Sequence, residues 1–196
     1  NKAEYRTFSC EGLLCTNPDS LDRNADRWNC RLIPNGVDLA RFRPGKADRS
    51  RLGLPADRPV ILMVSALIES KRVIDGIRAV AELTDASLVV AGDGPLRQQV
   101  TKLGEQLLPG RFRLVSLPPD GMPDLYRSAD VFLHLSLLES FGNVFLEAWA
   151  SGLPIVAHDS VRLRWILGER HFLCDTTSPQ DLYDTLSAAL SASDPG

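Results

Sequence analysis

The sequence lacks the features that point to nucleic-acid binding, membrane insertion or secretion. It has no long basic tract and a formal net charge of -3 at pH 7, so binding to a phosphate backbone has little electrostatic support. Its apolar runs are far shorter than the roughly 20 residues that cross a bilayer. Residues 1–10 carry charges and contain no apolar run, so we expect no signal peptide there.

Cysteine and histidine are also scarce. The four cysteines, Cys10, Cys15, Cys30 and Cys174, match no zinc-binding spacing, and no histidine pair lies near them at ligand spacing. We therefore expect no metal site, and thiols in a reducing cytoplasm; the alternative is a structural disulfide among the first three. The 196 residues are 44% hydrophobic and 24% charged, which is typical of a globular domain with a substantial core.

Short apolar runs and longer amphipathic segments alternate from residue 60 onward, which predicts alternating strands and helices. The predicted strands are 60–65, 87–91, 111–115, 131–135, 154–157 and 172–174, and the predicted helices are 74–83, 95–107, 123–128, 143–151, 164–167 and 179–190. Nearly continuous apolar strands separated by helices indicate a parallel sheet covered on both faces. The prediction is a doubly wound, Rossmann-like α/β domain over residues 36–196.

Residues 1–35 fit this alternation less well. One lone strand is predicted at 12–16, and a turn-rich stretch follows at 34–38. A strand without a partner suggests the edge of another domain. We interpret residues 1–35 as the tail of a preceding N-terminal domain and a linker.

Polar residues follow the predicted strands at their carboxyl ends. These segments are 69–72, 92–95, 116–119, 136–143 and 158–160. In an open α/β sheet, ligands bind in the crevice beyond the carboxyl ends of the strands. The segments are therefore expected to share one ligand.

The predicted helix 143–151 is apolar around most of its circumference. Asn143, Glu147 and Ser151 form a narrow polar stripe at i, i+4 and i+8. A carboxylate on such a buried helix needs a partner, and ligand hydroxyl groups in the crevice would provide one. The alternative is a glutamate that faces solvent.

The start of this helix suits an anionic ligand, because its first backbone N–H groups are free and Gly142 allows close approach to the backbone. The alternative is an ordinary cap formed by Ser140 or Asn143. Were the segment helical throughout, Glu139 and Glu147 would be about 12 Å apart. Glycosidase carboxylates lie roughly 5 to 9.5 Å apart, so this pair better suits the two ends of a long ligand such as a nucleotide-sugar.

Basic and glycine-rich segments complete the predicted site. Lys71 supplies a cation for a diphosphate, and Arg72 is the alternative. Gly92 and Gly94 follow a strand as in dinucleotide-binding loops, but position 97 is arginine instead of a small residue, so NAD binding is not expected.

These motifs, taken in order, resemble the group 1 retaining GT-B glycosyltransferases over about residues 30–190. The segments that carry the resemblance are I-P-N-G-V-D at 33–38, V-A-G-D-G-P at 90–95, L-Y-R-S-A-D-V at 125–131 and S-L-L-E-S-F-G-N-V-F-L-E-A at 136–148. The last of these is similar to the E-x7-E signature of the family. The resemblance implies the C-terminal, donor-binding half of a GT-B fold.

The resemblance also implies a role for each site residue. Glu139 would bind donor-sugar hydroxyls, Glu147 the ribose hydroxyls and Lys71 the diphosphate. The implied site as a whole comprises Lys71, Arg72, Gly92, Asp93, Gly94, Ser116, Leu117, Glu139, Phe141, Gly142, Asn143, Val144 and Glu147. The backbone of 141–144 would contact sugar and phosphate, and the loop 115–117 would lie against the base. No metal or cofactor is implied beyond the nucleotide-sugar substrate.

Two positions depart from the family pattern. Ser65 and Ala66 stand where the family usually has Gly-Arg, so either Arg72 assists Lys71 or the diphosphate is held less firmly. The segment 160–165 replaces a G-G-x-P-E-like stretch, and Arg162 or Arg164 either adds positive charge to the site or lies on the surface.

The implied function is hexosyl transfer from a nucleoside diphosphate sugar to a glycan, lipid or small-molecule acceptor, with retention of anomeric configuration. The expected partners are the donor and the N-terminal acceptor domain, without which this chain would bind donor weakly and transfer little. The implied location is the cytoplasm, with peripheral contact of the missing domain at the inner face of the membrane. The alternatives are a non-catalytic nucleotide-sugar-binding module and a sugar-nucleotide epimerase on the same fold.

The three histidines are expected to pack in the core or lie at the surface. They are His134 inside a predicted strand, His158 at a strand end and His171 before a strand. Since His158 borders the predicted crevice, it is the exception with the best position for a ligand contact.

Overall fold

A computed structural model describes residues 11–168 and 171–193. The chain divides after Gly36 into two compact units, one small and one large. This division lies one residue beyond the boundary expected from the sequence. The assignment of the small unit to a preceding domain stays a prediction.

The small unit is a β-α-β arrangement. Strand β1 (Leu13–Cys15) and strand β2 (Cys30–Leu32) pair in parallel and are connected through helix α1 (Pro18–Asn24). The expectation of a lone strand was therefore wrong, because a three-residue strand is too short to show a periodic pattern. Cys15, Cys30 and Cys174 are free thiols, and Cys10 lies outside the described residues.

Six strands form one parallel sheet in the described residues of the large unit. The strands are β3 (Val60–Val64), β4 (Ser87–Ala91), β5 (Phe112–Val115), β6 (Val131–His134), β7 (Ile155–His158) and β8 (Phe172–Cys174). The helices that follow them are α2 (Val73–Ala81), α3 (Arg97–Leu107), α4 (Met122–Arg127), α5 (Asn143–Ala150), α6 (Val161–Leu167) and α7 (Pro179–Ser193). The strand order is β5-β4-β3-β6-β7-β8, which confirms the predicted doubly wound sheet.

The apolar strands are buried on both faces, as a parallel sheet requires. In β3, Ile61 and Met63 belong to one core cluster together with residues of α2, α3 and α7. Val60 and Leu62 belong to a second cluster together with residues of α4, α5 and α6. Three helices therefore cover each face. Among the described residues, no helix is long and apolar enough to cross a membrane.

Helix starts differ most from the sequence expectation. Helix α3 begins at Arg97 instead of Pro95, because the backbone of Leu96, with φ -85° and ψ 5°, lies outside the helical region and makes Leu96 the N-cap. Helix α6 begins at Val161, earlier than expected, because the Ser160 hydroxyl accepts a bond from the Leu163 N–H at 3.2 Å.

Candidate functional site

The order of the strands reverses between β3 and β6, so the loops that follow these two strands diverge and leave a crevice. Lys71 lies at the end of the loop after β3, and Glu139 lies in the loop after β6. The Lys71 ammonium donates a hydrogen bond to Oε1 of Glu139. The structure thus joins two predicted site residues across the switch point of the sheet.

Glu139 has a second partner that the sequence analysis did not assign. His134 ends β6 and is 3% exposed, and its Nε2 lies 2.8 Å from Oε1 of Glu139. Its ring also packs against Phe132 and Phe145, so the expected packing role is present together with a polar one. A histidine in an otherwise apolar strand was the available signal, because a buried polar ring needs a partner.

The two donors determine the charge state of Glu139. Burial alone would raise the pKa of this carboxyl, but the hydrogen bonds and charges of His134 and Lys71 outweigh burial and lower the pKa to about 2. Glu139 is therefore an anion at neutral pH. Both donors bind Oε1, and within the described part of the chain Oε2 has no hydrogen-bond partner.

Glu147 is held by a separate contact. The Tyr126 hydroxyl, on α4, donates to Oε2 of Glu147 at 2.8 Å. Burial and the adjacent carboxylate raise the pKa of Tyr126 well above its usual range, so the hydroxyl stays protonated and donating. Oε1 of Glu147 has no partner among the residues described. The sequence correctly required a partner for Glu147 but missed Tyr126, for which it offers no signal.

The polar stripe predicted on this helix is only partly formed. Asn143 is exposed and Glu147 is half-buried, whereas Ser151 is 5% exposed and follows the end of α5. Glu147 is thus the carboxylate that α5 contributes to the site.

Gly142 precedes α5 and is its N-cap, so neither Ser140 nor Asn143 has that role. Its φ of 79° is in the left-handed region, and a Cβ at this position would lie 2.6 Å from Cδ2 of Phe145. Glycine is therefore required for both backbone and packing reasons. The start of a helix carries a partial positive charge, so this end of α5 suits an anionic ligand.

A cleft of about 340 Å³ lies beside this crevice, at the carboxyl ends of β3, β4 and β5. Gly92, Asp93, Ser116 and Leu117, four of the predicted site residues, line it. Gly94 holds the adjacent loop close to β3, since a Cβ there would lie 2.7 Å from the Leu67 carbonyl oxygen. The structure thus brings these four predicted donor-site residues to one place.

Arg72 is engaged elsewhere. Its guanidinium bonds the Asp75 carboxylate at 2.9 Å, the Leu135 carbonyl at 3.3 Å, and both oxygens of Thr176 at 3.0 and 3.1 Å. These contacts favour the second alternative from the sequence, in which Arg72 does not assist Lys71 and the diphosphate is held less firmly.

A larger cleft of about 670 Å³ lies between α2 and α7, away from Glu139 and Glu147. Three of its charged side chains pair with one another: Asp75 binds Arg72 at 2.9 Å and Arg78 at 3.5 Å. We favour the switch-point crevice as the functional site, because it lies at the carboxyl ends of the strands, where open α/β sheets bind ligands.

Of the candidates at or after the end of β7, Arg162 lies at the site, whereas Arg164 and His158 are engaged elsewhere. Arg162 lies at the site, since its Nη1 donates to the backbone carbonyl of Glu139. Arg164 forms an exposed pair with Asp159 at 2.6 Å. His158 bonds Thr176 at 3.2 Å. The described residues contain no group of three or more histidine, cysteine or acidic side chains that could hold a metal ion.

Known proteins resemble this chain in sequence and in fold. The sequence model of the family described as "Glycosyl transferases group 1" matches residues 45–194. The lipopolysaccharide core biosynthesis glycosyltransferase LpsE of Rhizobium meliloti (strain 1021) is 33% identical over 177 residues, which cover 87% of this chain and 51% of LpsE. The D-inositol 3-phosphate glycosyltransferase of Corynebacterium jeikeium (strain K411) is 34% identical over 212 residues, which cover 90% of this chain and 50% of that protein. The chain spans about half the length of the curated relatives it matches.

Solved structures share the fold. Sucrose-phosphate synthase (tll1590) from Thermosynechococcus elongatus matches with a TM-score of 0.83 and 25% identity, over 94% of this chain and 50% of that one. Anabaena Alr3699/HepE, in complex with UDP-glucose, matches with a TM-score of 0.80 and 22% identity, over 96% of this chain and 56% of that one. The parallel sheet with flanking helices is thus the Rossmann-like arrangement of GT-B glycosyltransferases.

Proposed function

Because this chain belongs to the group 1 glycosyl transferases, we propose that it supplies the donor site of a retaining hexosyltransferase that uses a nucleoside diphosphate sugar. The observation that carries the proposal is the pairing of Lys71 with Glu139 across the switch point of the sheet. The Lys71 ammonium and the Glu139 carboxylate meet there, at the position where open α/β sheets bind ligands.

Lys71 binds the diphosphate in this proposal. Its side chain is 22% exposed and is at present bound to Glu139, a single negative charge. A diphosphate carries more negative charge and presents several acceptor oxygens, so it competes for the ammonium group when it enters the crevice. The start of α5 lies beside Glu139, and its partial positive charge attracts the same phosphates.

The two carboxylates bind the ends of the donor. Glu139 accepts hydrogen bonds from hydroxyls of the hexose through Oε2, and Glu147 accepts them from the ribose through Oε1. Each of these oxygens lacks a partner in the described residues, and each carboxylate is held by its other oxygen. The cleft beside Ser116 and Leu117 takes the base.

The proposed reaction transfers the hexose to the acceptor with retention of configuration. The bond between the anomeric carbon and the β-phosphate oxygen breaks, and the acceptor oxygen bonds to the anomeric carbon on the same face. The acceptor proton passes to the departing phosphate oxygen, so atoms and charge balance and configuration is retained. Lys71 and the start of α5 stabilise the charge that develops on the diphosphate.

The other half of the enzyme supplies the acceptor pocket in this proposal. The relatives named for lipopolysaccharide core and inositol 3-phosphate share this half of the fold, so the shared half does not select the acceptor. The acceptor is therefore a glycan, a lipid or a small molecule selected elsewhere. We place the reaction in the cytoplasm, where nucleotide-sugars are the donor substrates.

Nucleotide binding tests the donor site. A thermal-shift screen with UDP, GDP, ADP and their hexose conjugates identifies the base, because a ligand that binds the folded state raises its stability. Calorimetry then compares Glu147→Ala with Glu105→Ala, an exposed acid on α3. We expect Glu147→Ala to weaken binding of the chosen nucleotide about tenfold or more and Glu105→Ala to leave it unchanged. Equal affinities for the two variants would count against the ribose contact.

Product analysis tests the reaction. The full-length protein is incubated with the identified donor and a panel of glycan and lipid acceptors, and NMR reports the anomeric configuration of the product. Retention supports the proposal. Inversion, or an epimerised donor formed without acceptor, would contradict it.

A further inference from the structure

We propose that His134 is a positioning residue that holds Glu139 in place while Lys71 moves from Glu139 to the diphosphate of the donor. This inference rests on the proposed function. It assigns His134 a role in recognising the sugar part of the donor, through its contact with Glu139.

His134 is a rigid donor. Its ring lies between aromatic neighbours, with centroids 6.2 Å from Phe132 and 4.9 Å from Phe145, and its side chain is 4% exposed. Strand β6 fixes its backbone in the centre of the sheet. The ring therefore has little freedom to turn away from Glu139, and the 2.8 Å contact is maintained by packing.

Lys71 is the more mobile donor. It ends a short turn in the loop after β3 and is more exposed than His134, with 22% of its side chain accessible. A lysine ammonium on a flexible stem exchanges partners readily. Both donors bind Oε1 of Glu139, so departure of Lys71 leaves this oxygen bonded to His134 and leaves Oε2 accessible to a hydroxyl.

Loss of the His134 donor therefore has a selective consequence. Glu139 would then be held by Lys71 alone, and once Lys71 binds the diphosphate, no donor among the described residues would hold Glu139 in position. Binding of a bare nucleoside diphosphate depends on Lys71, the start of α5 and Glu147 and should be nearly preserved. The additional affinity that the hexose provides depends on the position of Glu139 and should be lost.

The test uses two matched substitutions at His134. His134→Phe keeps an aromatic ring between Phe132 and Phe145 but removes the N–H donor. His134→Gln removes the ring but keeps an N–H near the position of Nε2. The probes are UDP, GDP and ADP and, for the same base, UDP-glucose, GDP-mannose and ADP-glucose, with affinities measured by calorimetry.

For the base that the wild-type protein binds, we expect His134→Phe to weaken the nucleotide-sugar about tenfold and the bare diphosphate less than about twofold. We expect His134→Gln to recover most of the loss. Equal weakening of both ligands, or no weakening of either, would overturn the positioning role. Failure of the wild-type protein to bind any probe would instead overturn the proposed function, and this inference with it.

A second measurement does not depend on the folding of the His134 variants. In the wild-type protein, the ring ¹⁵N signals of His134 should show the proton on Nε2, because the carboxylate accepts from that atom. In Glu139→Gln these signals should shift, while those of His158 should not. Unchanged His134 signals in Glu139→Gln would refute the contact on which the inference depends.

Discussion

Substitution of Gly142 by alanine gives the sharpest test of the local structure at the start of α5. The new Cβ would lie 2.6 Å from Cδ2 and 2.7 Å from Cε2 of Phe145, whose side chain is fully buried. Phe145 cannot move away freely, because its ring contacts Phe132 and His134. Overpacking of this kind costs about 1–3 kcal/mol. The left-handed backbone of Gly142, with φ 79°, adds about 1–2 kcal/mol for a residue with a side chain.

Gly110→Ala is the matched control. Gly110 also has a positive φ, 71°, but a Cβ there would meet nothing within 4 Å. It therefore carries the backbone cost without the contact with Phe145. The free energy of unfolding of Gly142→Ala should fall below that of Gly110→Ala by about 1–3 kcal/mol.

Urea denaturation measures this difference, provided that both variants unfold with the same m-value. In thermal unfolding, the midpoint of Gly142→Ala should lie roughly 2–12 °C below that of Gly110→Ala, at about 2–4 °C for each kcal/mol. Gly142→Ala should also bind the nucleotide more weakly than the control, since the start of α5 is displaced. Equal unfolding free energies would refute the close contact between Gly142 and Phe145.

Three further predictions follow from the contacts at the site. Tyr126→Phe keeps the buried ring but removes the donor to Glu147, so the free energy of unfolding should fall by about 1–2 kcal/mol in urea; an unchanged midpoint would contradict the bond. The Glu139 pKa is about 2 in the folded protein and about 4.3 in an unfolded chain, so its stabilising effect is complete above pH about 4.3 and is lost as the pH falls towards 2. Unfolding free energies of wild type and Glu139→Gln should therefore converge over that range, and a constant difference would contradict the depressed pKa. Ala66→Arg should tighten nucleoside diphosphate binding by about three- to tenfold in calorimetry by adding a cation near Lys71, and weaker binding would show that position 66 does not face the diphosphate.

The sheet and its edge were predictable because their signals are local. Short apolar runs such as 87–91 that alternate with amphipathic segments indicate strands buried on both faces, and their order along the chain determines which loops reach the carboxyl edge. Gly92 and Gly142 were identifiable for the same reason, since glycine next to a strand or helix end indicates close backbone approach.

The partners of the two acids were not predictable because they depend on packing between distant segments. Tyr126 reaches Glu147 across 21 positions of sequence, and Lys71 reaches Glu139 across 68. The different partners of Lys71 and Arg72 were not predictable either, because two adjacent basic residues look equivalent in sequence. In the structure the left-handed backbone of Arg72 accompanies contacts with Asp75 and Thr176, while Lys71 pairs with Glu139.

A crystal structure of the protein with the nucleotide-sugar selected by the thermal-shift screen tests the central claim most directly. We predict that the diphosphate lies between the ends of β3 and β6, within hydrogen-bonding distance of the Lys71 ammonium. The hexose hydroxyls should contact Oε2 of Glu139, and the ribose hydroxyls should contact Glu147. A nucleotide-sugar bound in the cleft between α2 and α7, with Lys71 still paired to Glu139, would contradict the account.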